Sequence, residues 1–483
     1  MSILNAANIE LYNNVMVGFR NIGFRIDRAR NCTITGNFIG DVRPRNIDFL
    51  NSAIDKEACV AYCSLEENKS GTPCYDITFT DNIAAGCPFA GFVAPGYEEC
   101  GKNTFNFYNN IAHSSAGYGA YIYPPPQASS KTTKCFELSH FTGYKNFEPC
   151  VVTMAQTLDQ RAHNLRCLDN ARGVSLNTAD QEADVVKITL SDSYFYGETL
   201  AEDCVAGADC FCENKFAMMN MQNMNDGKDL HPTMSSSLPI YKSHGEGNWG
   251  GTIFVKNVTF EGFQGLSRCG ARHVALERNP DSSDKIPPTF FDNIKFINAD
   301  DLGFVFLEKP AEKWANVKDC GNFPCTAPNN LIYSFASTTW SGSMPSFAYR
   351  DFTLVPDDET VGGTYPGCSH LVKGQAYACR TNNIGMLMFE NLDEDAWDRA
   401  IQPIFIVNEE TGFNNTINAM MDHIWDTFYT GQRRMARFPA ALITDEDYTI
   451  YFSGTNPKKV RWYLDARTGA TKIKIPYPVA GSI

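Results

Sequence analysis

Adjacent carboxylates are the residues of this sequence whose spacing could support acid–base chemistry. They occur at Asp300-Asp301, Asp357-Asp358 and Asp393-Glu394-Asp395. Two carboxyl groups held roughly 5–10 Å apart across a groove can cleave a glycosidic bond. We favour a turn for the first pair and a solvated loop for 393–395, where no EF-hand spacing follows. The sequence therefore predicts no catalytic residue, no metal ligand and no cofactor, and it leaves only a structural calcium open.

Histidines and nucleophile motifs do not define a clearer active site. The sequence lacks a G-x-S-x-G elbow, a Walker motif and an H-E-x-x-H pair. His113, His140 and His163 fall within or beside repeated strand segments, which favours corner or core positions over metal coordination. Asp422 and His423 lie close to Trp425, and we expect them to hydrogen-bond within a sheet.

Cysteine is the residue type with the strongest chemical signal, because the chain contains 17. Short spacings such as Cys59 to Cys63 are not followed by the matching second pair of a zinc ribbon. Such usage is typical of disulfides formed in an oxidising compartment. The local pairs that we favour, with the connectivity left open, are Cys87–Cys100, Cys320–Cys325 and Cys368–Cys379. The odd count leaves at least one cysteine unpaired.

Glycosylation sequons support the same compartment. N-x-S/T occurs at Asn31, Asn68, Asn257 and Asn414, which we predict to be glycosylated. The first residues are rich in Asn and contain no apolar signal core. No apolar run approaches the roughly 18 residues of a membrane span. We expect a piece of a longer extracellular chain, with no membrane insertion within this segment.

Composition narrows the classes of partner. The 483 residues carry a formal net charge of −14, with 43% hydrophobic and 20% charged residues. This balance excludes a disordered chain and permits a large core. The acidic charge and the lack of a Lys/Arg block exclude nucleic acid as the main partner.

Aromatic residues in Gly-rich settings are the candidates for contact with glycans. They are Tyr118, Trp249 and Trp340, each within or next to a Gly- or Ser-containing stretch. Aromatic rings can stack on sugars, but a role in the core or as a loop anchor accounts for the same residues. The sequence leaves both roles open, glycan contact and packing.

A repeated short strand that ends in a small or amide residue organises the first two thirds of the chain. Copies end at Asn14, Asn37, Asn82 and Asn110, and apolar residues alternate with polar ones. Periods of 20 to 30 residues with one strand and turn per repeat indicate stacked coils. We expect these asparagines to occupy corners because Asn tolerates the left-handed region. The prediction is a right-handed parallel β-helix over 1–345, of about a dozen coils, with a cysteine-containing insertion at 201–250.

The pattern changes after residue 345. Strand-like segments separated by ordinary turns, such as Tyr448-Thr-Ile-Tyr-Phe, predict a β-rich domain over 346–483, sandwich-like in form. Residues 414–438 are the best helical candidate. The predicted fold class is therefore all-β, with a long coil stack and a smaller C-terminal domain.

Several blocks of sequence resemble one known family. They are Asp81-Asn-Ile-Ala-Ala-Gly86, Asn110-Ile-Ala-His113, Asp319-Cys-Gly-Asn-Phe-Pro-Cys325, Leu387-Met-Phe-Glu-Asn-Leu-Asp-Glu-Asp395 and Tyr448-Thr-Ile-Tyr-Phe-Ser-Gly-Thr-Asn-Pro457. In collinear order they resemble the extracellular region of fibrocystin and fibrocystin-like proteins, a family that shares its β-helix with the G8-domain cell-surface hyaluronidases. Where the family has two cysteines, this chain has Asp426 and Gly431, as expected if those cysteines pair in relatives.

The resemblance implies a surface protein. We expect a non-catalytic, glycosylated rod in a receptor or a ciliary or flagellar appendage, located at the cell or ciliary surface. Its expected partners are neighbouring domains of the same long chain, other copies in an assembly, and glycans. The alternatives are a hyaluronidase-like polysaccharide-cleaving enzyme and a lectin-like glycan-binding domain.

Overall fold

The computed structural model of the protein describes a large part of the chain. The described residues are 1–20, 22–42, 58–62, 75–95, 105–123, 135–146, 148–155, 159–170, 172–178, 187–197, 238–241, 252–263, 265–266, 272–273, 275–278, 289–301, 304–307, 333–356, 368–371, 376–380, 384–391, 404–417, 436–443, 446–452, 458–465 and 472–474. Every regular element within these ranges is a β-strand. The all-β prediction is confirmed.

Three faces of parallel strands form the coil stack. The first face contains β1 (Ser2–Leu4), β4 (Phe24–Asp27), β7 (Ala58–Tyr62), β10 (Ala90–Pro95), β13 (Tyr118–Tyr123), β16 (Pro149–Ala155), β19 (Arg172–Thr178), β22 (Leu238–Tyr241), β27 (Leu276–Arg278) and β30 (Val305–Leu307). The second face contains β2 (Glu10–Tyr12), β5 (Arg30–Thr35), β8 (Tyr75–Thr80) and β11 (Phe105–Tyr108), then a separate sheet of β14 (Cys135–Ser139), β17 (Asp159–His163), β20 (Lys187–Ser191), β23 (Thr252–Lys256), β28 (Thr289–Asp292) and β31 (Tyr333–Ala336). The third face contains β3 (Val15–Val17), β6 (Phe38–Gly40), β9 (Ile83–Ala85), β12 (Ile111–His113), β15 (Thr142–Tyr144), β18 (Arg166–Leu168), β21 (Tyr194–Tyr196), β24 (Thr259–Glu261), β29 (Lys295–Ile297) and β32 (Thr339–Ser341).

Successive triplets of these strands are the coils of a parallel β-helix. Coil 1 is β1–β2–β3, coil 2 is β4–β5–β6, and the series continues to coil 10, β30–β31–β32. The described residues thus form ten coils, where the sequence predicted about a dozen. The predicted insertion at 201–250 contains β22, which pairs with β19 and β27 and so belongs to coil 8. A small hairpin, β25 (Gly265–Leu266) with β26 (Arg272–His273), lies between coils 8 and 9.

The alternating strand pattern directs one row of side chains into the stack. On the third face the central residue of a strand is buried between two less buried neighbours, as in β12, β21 and β24. Rings stack from coil to coil at the spacing of the strands, as for Phe195 and Phe260 at 5.3 Å and Phe260 and Phe296 at 5.4 Å between centroids. Each fully buried large apolar side chain contributes about 1.5–3 kcal/mol, so this inward row stabilises the stack.

A two-residue corner joins the second face to the third in every coil. Its first residue, the outer corner position, has a positive φ in all ten coils: Asn13, Gly36, Asp81, Asn109, His140, Asn164, Asp192, Asn257, Asn293 and Ser337. The second residue, the inner corner position, is Asn14, Asn37, Asn82, Asn110, Phe141, Leu165, Ser193, Val258, Ile294 or Thr338. The sequence prediction of asparagine corners was right in place, but the left-handed residue is the one before Asn14, Asn37, Asn82 and Asn110. Left-handed backbone suits Asn, Asp and Gly, which occupy eight of the ten outer positions; His140 and Ser337 occupy the other two.

The end of the stack after coil 10 is covered. β33 (Phe352–Pro356) pairs antiparallel with β31 and is followed by β35 (Ala376–Cys379) and β34 (Cys368–Leu371) in the same sheet. Phe352 is buried and stacks on Phe335 with centroids 4.3 Å apart. Phe347 is buried against Trp340 at 5.9 Å. Aromatic residues thus cover the last coil.

Two further sheets follow the stack. One contains β39 (Ala436–Ile443), β36 (Ile384–Asn391) and β41 (Val460–Asp465); the other contains β38 (Phe413–Ile417), β37 (Ile404–Asn408), β40 (Asp447–Phe452) and β42 (Lys472–Lys474). β38 and β39 include both ends of the segment 414–438, so the helical prediction is wrong there, and 418–435 lies outside the described residues. Alternating apolar residues such as Tyr448 and Ile450, both buried, explain the strand. The domain boundary at 345 and the sandwich form stay predictions.

Candidate functional site

The inner corner position of coils 1–4 carries a ladder of asparagine side chains. Asn37, Asn82 and Asn110 are buried, with at most 1% of each exposed. Asn37 donates to Asn82 Oδ1 from its backbone N at 3.0 Å and from Nδ2 at 2.9 Å. Asn82 donates to Asn110 Oδ1 in the same way, at 3.0 and 3.1 Å. Buried carboxamides are therefore satisfied by one another along the stack.

The ladder also satisfies backbone carbonyl groups of the neighbouring strands. Asn82 Nδ2 donates to the carbonyl of Ile34 at 2.9 Å and of Thr80 at 2.8 Å. Asn110 Nδ2 donates to the carbonyl of Phe79 at 2.8 Å. A buried amide whose hydrogen-bonding groups all have partners makes the core more rigid, whereas an amide with unpaired groups destabilises the fold. These bonds join the ladder to the second face of its own and of the preceding coil.

A second amide ladder lies at the end of the third face, in coils 4–6. Ser115 N donates to Asn146 Oδ1 at 3.1 Å, and Asn146 donates to Asn170 Oδ1 from N at 3.1 Å and from Nδ2 at 2.8 Å. All three residues are buried. Sequence patterns did not single out this ladder, although Asn146 and Asn170 repeat the position of a small polar residue after a strand.

A cluster of titratable side chains lies on the surface at the outer corner of coils 4–6. The His140 ring is 4.4 Å from the Tyr108 ring and 5.8 Å from the His163 ring, between centroids. His163 Nε2 is hydrogen-bonded to Glu137 Oε1 at 2.8 Å. Partial burial, and then the neighbouring His163, lower the pKa of His140. His140 is the outer corner residue of coil 5, so a corner role for it is present in the structure.

The third predicted histidine lies on the third face. His113 ends β12, and its ring stacks on Tyr144 with centroids 4.6 Å apart and planes within 8°. Partial burial lowers its pKa. Within the described residues, no three His, Cys, Asp or Glu side chains are grouped so that they could hold a metal ion.

The adjacent acids that the sequence offered for catalysis are only partly within the described residues. Asp301 Oδ1 accepts hydrogen bonds from Ser346 N at 2.7 Å and Ser346 Oγ at 3.2 Å. The Asp300 carbonyl accepts from Phe304 N at 2.9 Å. The Asp300 contact is that of a turn, whereas the Asp301 contact joins residues 45 apart in the sequence. The acids at 357–358 and 393–395, and Asp422 with His423, lie outside the described residues.

Two of the four sequons are at exposed residues, Asn257 at an outer corner and Asn31 near the start of β5. Asn257 Nδ2 donates to Asp192 Oδ1 at 3.0 Å, and Asn257 Oδ1 accepts from Asn293 Nδ2 at 2.8 Å. The hydrogen bond from Asn257, followed by one from Ser191, lowers the pKa of Asp192. Asn31 Nδ2 donates to Asn8 Oδ1 at 2.6 Å. Asn68 lies outside the described residues, Asn414 is in β38, and glycosylation stays a prediction for all four.

Two of the three aromatic candidates for glycan contact lie within the described residues. Trp340 stacks on Phe296 at 4.6 Å, and its Nε1 donates to the Tyr349 carbonyl at 2.8 Å. Tyr118 packs against Phe89 at 5.3 Å. Both rings have the packing roles that the sequence left open. Trp249 lies outside the described residues.

Disulfides cross the interior of single coils. Cys59 on β7 is bonded to Cys87, which follows β9, and Cys150 on β16 is bonded to Cys167 on β18. The pairing of Cys87 with Cys100 is therefore corrected, because the inward positions of one coil meet in space although 28 residues separate them. The predicted Cys368–Cys379 bond is present.

The remaining predicted disulfide partners are not described. Cys100, Cys320 and Cys325 lie outside the described residues. Within the described part of the chain, Cys32 is a free and buried thiol. No helix in this part is long and apolar enough to cross a membrane.

Stacked three-faced coils, amide ladders and internal disulfides define the class of the N-terminal region, a disulfide-linked parallel β-helix. No protein-family model matches the sequence. The chain is similar to fibrocystin-L of Mus musculus and of Homo sapiens, with 26% identity over 246 residues, 44% of this chain and 6% of either relative. It is also similar to fibrocystin of Canis lupus familiaris, with 20% identity over 428 residues, 82% of this chain and 10% of that relative. The sequence is thus similar to part of fibrocystin and fibrocystin-L, and the chain spans a tenth or less of the length of these relatives.

Proposed function

We propose that this chain is a non-catalytic structural module of a fibrocystin-like surface protein, in which the coil stack is a rigid rod. The observation that carries the proposal is the continuity of the first and third faces through all ten coils. At about 4.8 Å per coil, nine steps correspond to a rod of roughly 43 Å. A receptor ectodomain or a ciliary or flagellar appendage is the setting that we propose for it.

The disulfides support an extracellular location. Cys59–Cys87 and Cys150–Cys167 each join two faces of one coil. Closing loops of this length stabilises a protein by about 3 kcal/mol in the chain-entropy model. Such bonds persist in oxidising compartments and are rare in the cytosol. We therefore place the chain at the cell surface, with neighbouring domains, other copies or glycans as its partners.

Secretion of the chain from eukaryotic cells, followed by peptide mapping without reduction, tests the location. We expect the three bonded pairs seen in the structure, and a glycosidase-sensitive mass that falls in the single variants Asn31→Gln and Asn257→Gln. Ser337→Gln, at the same corner position but outside a sequon, is the matched control and keeps the full mass. Free thiols at Cys59, Cys87, Cys150 and Cys167 would contradict an extracellular module.

Incubation with polysaccharides tests the absence of catalysis that we propose. The resemblance to cell-surface hyaluronidases raises hyaluronan as one substrate, and the β-helix raises pectic polymers as another. We expect no chain shortening of either, with or without calcium. Shortening that is lost on replacement of a carboxylate would identify an enzyme, and glycan-array binding without shortening would identify a lectin-like domain.

A further inference from the structure

The outward side of the third face carries aromatic rings in coils 4, 5 and 7. They belong to His113 on β12, Tyr144 on β15, and Tyr194 and Tyr196 on β21. The parallel register aligns His113 with Tyr144 in one outward column. That column continues to Tyr196, while Tyr194 lies in the second column. Each ring is half-buried, so that part of it is open to solvent, and we call these four side chains the aromatic strip.

Contacts within the face hold these rings in place. The His113 and Tyr144 rings are parallel within 8°, with centroids 4.6 Å apart. Gly262 has a φ of +79°, and a Cβ there would lie 3.4 Å from the Tyr196 ring, so that ring packs closely on the Gly262 backbone. Rings that are fixed in this way lose little conformational freedom when a ligand binds to them.

Hydrogen-bonding groups accompany the aromatic strip in coils 6–8. Arg166 is exposed, and its guanidinium carbon lies 5.9 Å from the centroid of the Tyr194 ring. The Tyr194 hydroxyl donates to Glu261 Oε2 at 2.9 Å. Burial, followed by this hydrogen bond to Glu261, raises the pKa of Tyr194, so the hydroxyl stays protonated in neutral solution. Three adjacent coils thus supply a guanidinium donor, a hydroxyl group and a carboxylate acceptor.

This combination of groups matches the two kinds of surface on a pyranose ring. The C–H groups of such a ring form an apolar face that stacks on an aromatic side chain, and its rim of hydroxyl groups both donates and accepts hydrogen bonds. Strands of neighbouring coils are about 4.8 Å apart, which is close to the length that one pyranose residue adds to an extended oligosaccharide. Coils 4–8 span four such steps, so that about four sugar residues fit along the strip.

The charges of the face and of the chain select among glycans. The strands of the third face in coils 4–8 include one cation, Arg166, and one anion, Glu261, while the whole chain has a formal net charge of −14. A chain of this net charge repels polyanionic glycans. We propose that the aromatic strip binds a neutral oligosaccharide of about four pyranose residues that runs parallel to the axis of the stack. The inference rests on the proposed function, because it gives the glycan partners of the module a place on the rod.

Calorimetric titration of the full chain with neutral tetrasaccharides tests the proposal. Cellotetraose, a mannose tetramer and an N-acetylglucosamine tetramer are the neutral probes, and a hyaluronan tetrasaccharide is the acidic one. N-linked glycans are removed enzymatically beforehand, so that none from Asn257 competes. We expect a neutral tetramer to bind, and Tyr144→Ala and Tyr194→Ala each to weaken its binding about tenfold. Phe254→Ala is the matched control, because it removes a half-buried ring from the outside of the second face in coil 8, and it should leave the Kd unchanged.

Three results would overturn the inference. The first is the absence of binding by all the neutral tetramers. The second is binding that persists in both tyrosine variants or that Phe254→Ala weakens equally. The third is tighter binding of the hyaluronan tetrasaccharide than of every neutral tetramer. These results leave the rod itself standing, because disulfide mapping and distances within the stack test it separately. Shortening of a bound tetramer would instead contradict the non-catalytic function and leave the binding site in place.

Discussion

Coils 1–4 and coils 7–10 follow the same backbone path but fill it with different side chains. In coils 3 and 4 the inner corner holds Asn82 and Asn110, and the inward residues of the third face are Ala84 and Ala112. In coils 8 and 9 the inner corner holds Val258 and Ile294, and the inward residues are Phe260 and Phe296. The hydrogen-bonded ladder of coils 3 and 4 thus corresponds to an apolar corner and an aromatic stack in coils 8 and 9.

The large inward side chains come from different faces in the two halves. In coils 3 and 4 the large rings come from the second face, where Phe79 and Phe107 stack at 6.1 Å opposite the small alanines. In coils 7–9 the third face supplies Phe195, Phe260 and Phe296. Close packing is reached with small third-face residues in coils 3 and 4, whereas in coil 9 Phe291 of the second face and Phe296 of the third face are both large and buried. The comparison shows that the coil geometry is set by its corners and that the filling is interchangeable.

Removal of a ring from the aromatic half should have the largest effect. Phe260→Ala deletes a buried ring that contacts Phe195, Phe263 and Phe296, and we expect a loss of about 4 kcal/mol in the free energy of unfolding. Phe254→Ala is the matched control, because Phe254 is a half-buried residue on the outside of coil 8. Chemical denaturation measures both. Equal losses below about 1 kcal/mol would show that the aromatic stack does not stabilise this half.

Removal of an amide from the ladder half should be nearly as costly. Asn82→Leu keeps the branched shape but removes the acceptor of the Asn37 backbone N–H and the donor to the Ile34 carbonyl. We expect a loss of about 3 kcal/mol, since each buried unsatisfied group costs about 1–3 kcal/mol. The control Asn109→Gly, at the exposed outer position, should lose less than about 1 kcal/mol. A stable Asn82→Leu protein would mean that the corner tolerates either filling in any coil.

Substitution at the outer corner position should lower the free energy of unfolding by a similar amount in both halves. Asn109→Val and Asn293→Val each place a β-branched residue at a φ of about +50°, where both asparagines lie. We expect a loss of about 1–2 kcal/mol in either variant, because the left-handed region is strained for such residues. Glycine at the same sites should be tolerated within a few tenths of a kcal/mol. A loss confined to one half would contradict the claim that corners are the shared element.

Protonation of His140 in coil 5, between the two halves, should have the smallest effect on the free energy of unfolding. A lowered pKa of His140 means that the unfolded chain binds more protons in the interval from the folded pKa up to the ordinary value near 6.5. The contribution of neutral His140 to stability is therefore complete above pH 6.5 and is lost as the pH falls through that interval.

His140→Asn, which retains a residue suited to a positive φ, should leave stability at pH 7.5 unchanged and reduce its fall between pH 7 and 5. The difference should be below about 1 kcal/mol because the site is exposed. Denaturation curves of the two proteins at both pH values measure it. An identical pH dependence in the variant would show that protonation of His140 does not affect stability.

The sequence predicted the coil stack from polar residues that recur after alternating strands. Asn14, Asn37, Asn82 and Asn110 recur after alternating strands, and all four lie at inner corners. Coil 8 was assigned in part to an insertion, because β22 pairs with β19 across a long connection that sequence periodicity does not span. Local pattern is visible in sequence, whereas pairing across many residues depends on the stack.

Features that depend on stacking were the ones that sequence could not supply. Cys59 and Cys87 meet because both side chains point into coil 3. Their spacing in the sequence does not show this. Asn146 and Asn170 form a ladder only because coils 5 and 6 are adjacent.

A distance across the stack tests the central claim most directly. Val15 and Thr339 occupy the same outward column of the third face, in coils 1 and 10, and both are exposed. Genetically encoded spin labels at the two sites avoid the native cysteines. A rigid stack of ten coils predicts a narrow distribution centred near 43 Å, nine steps of about 4.8 Å. A broad distribution, or a centre below about 30 Å, would contradict a continuous rod.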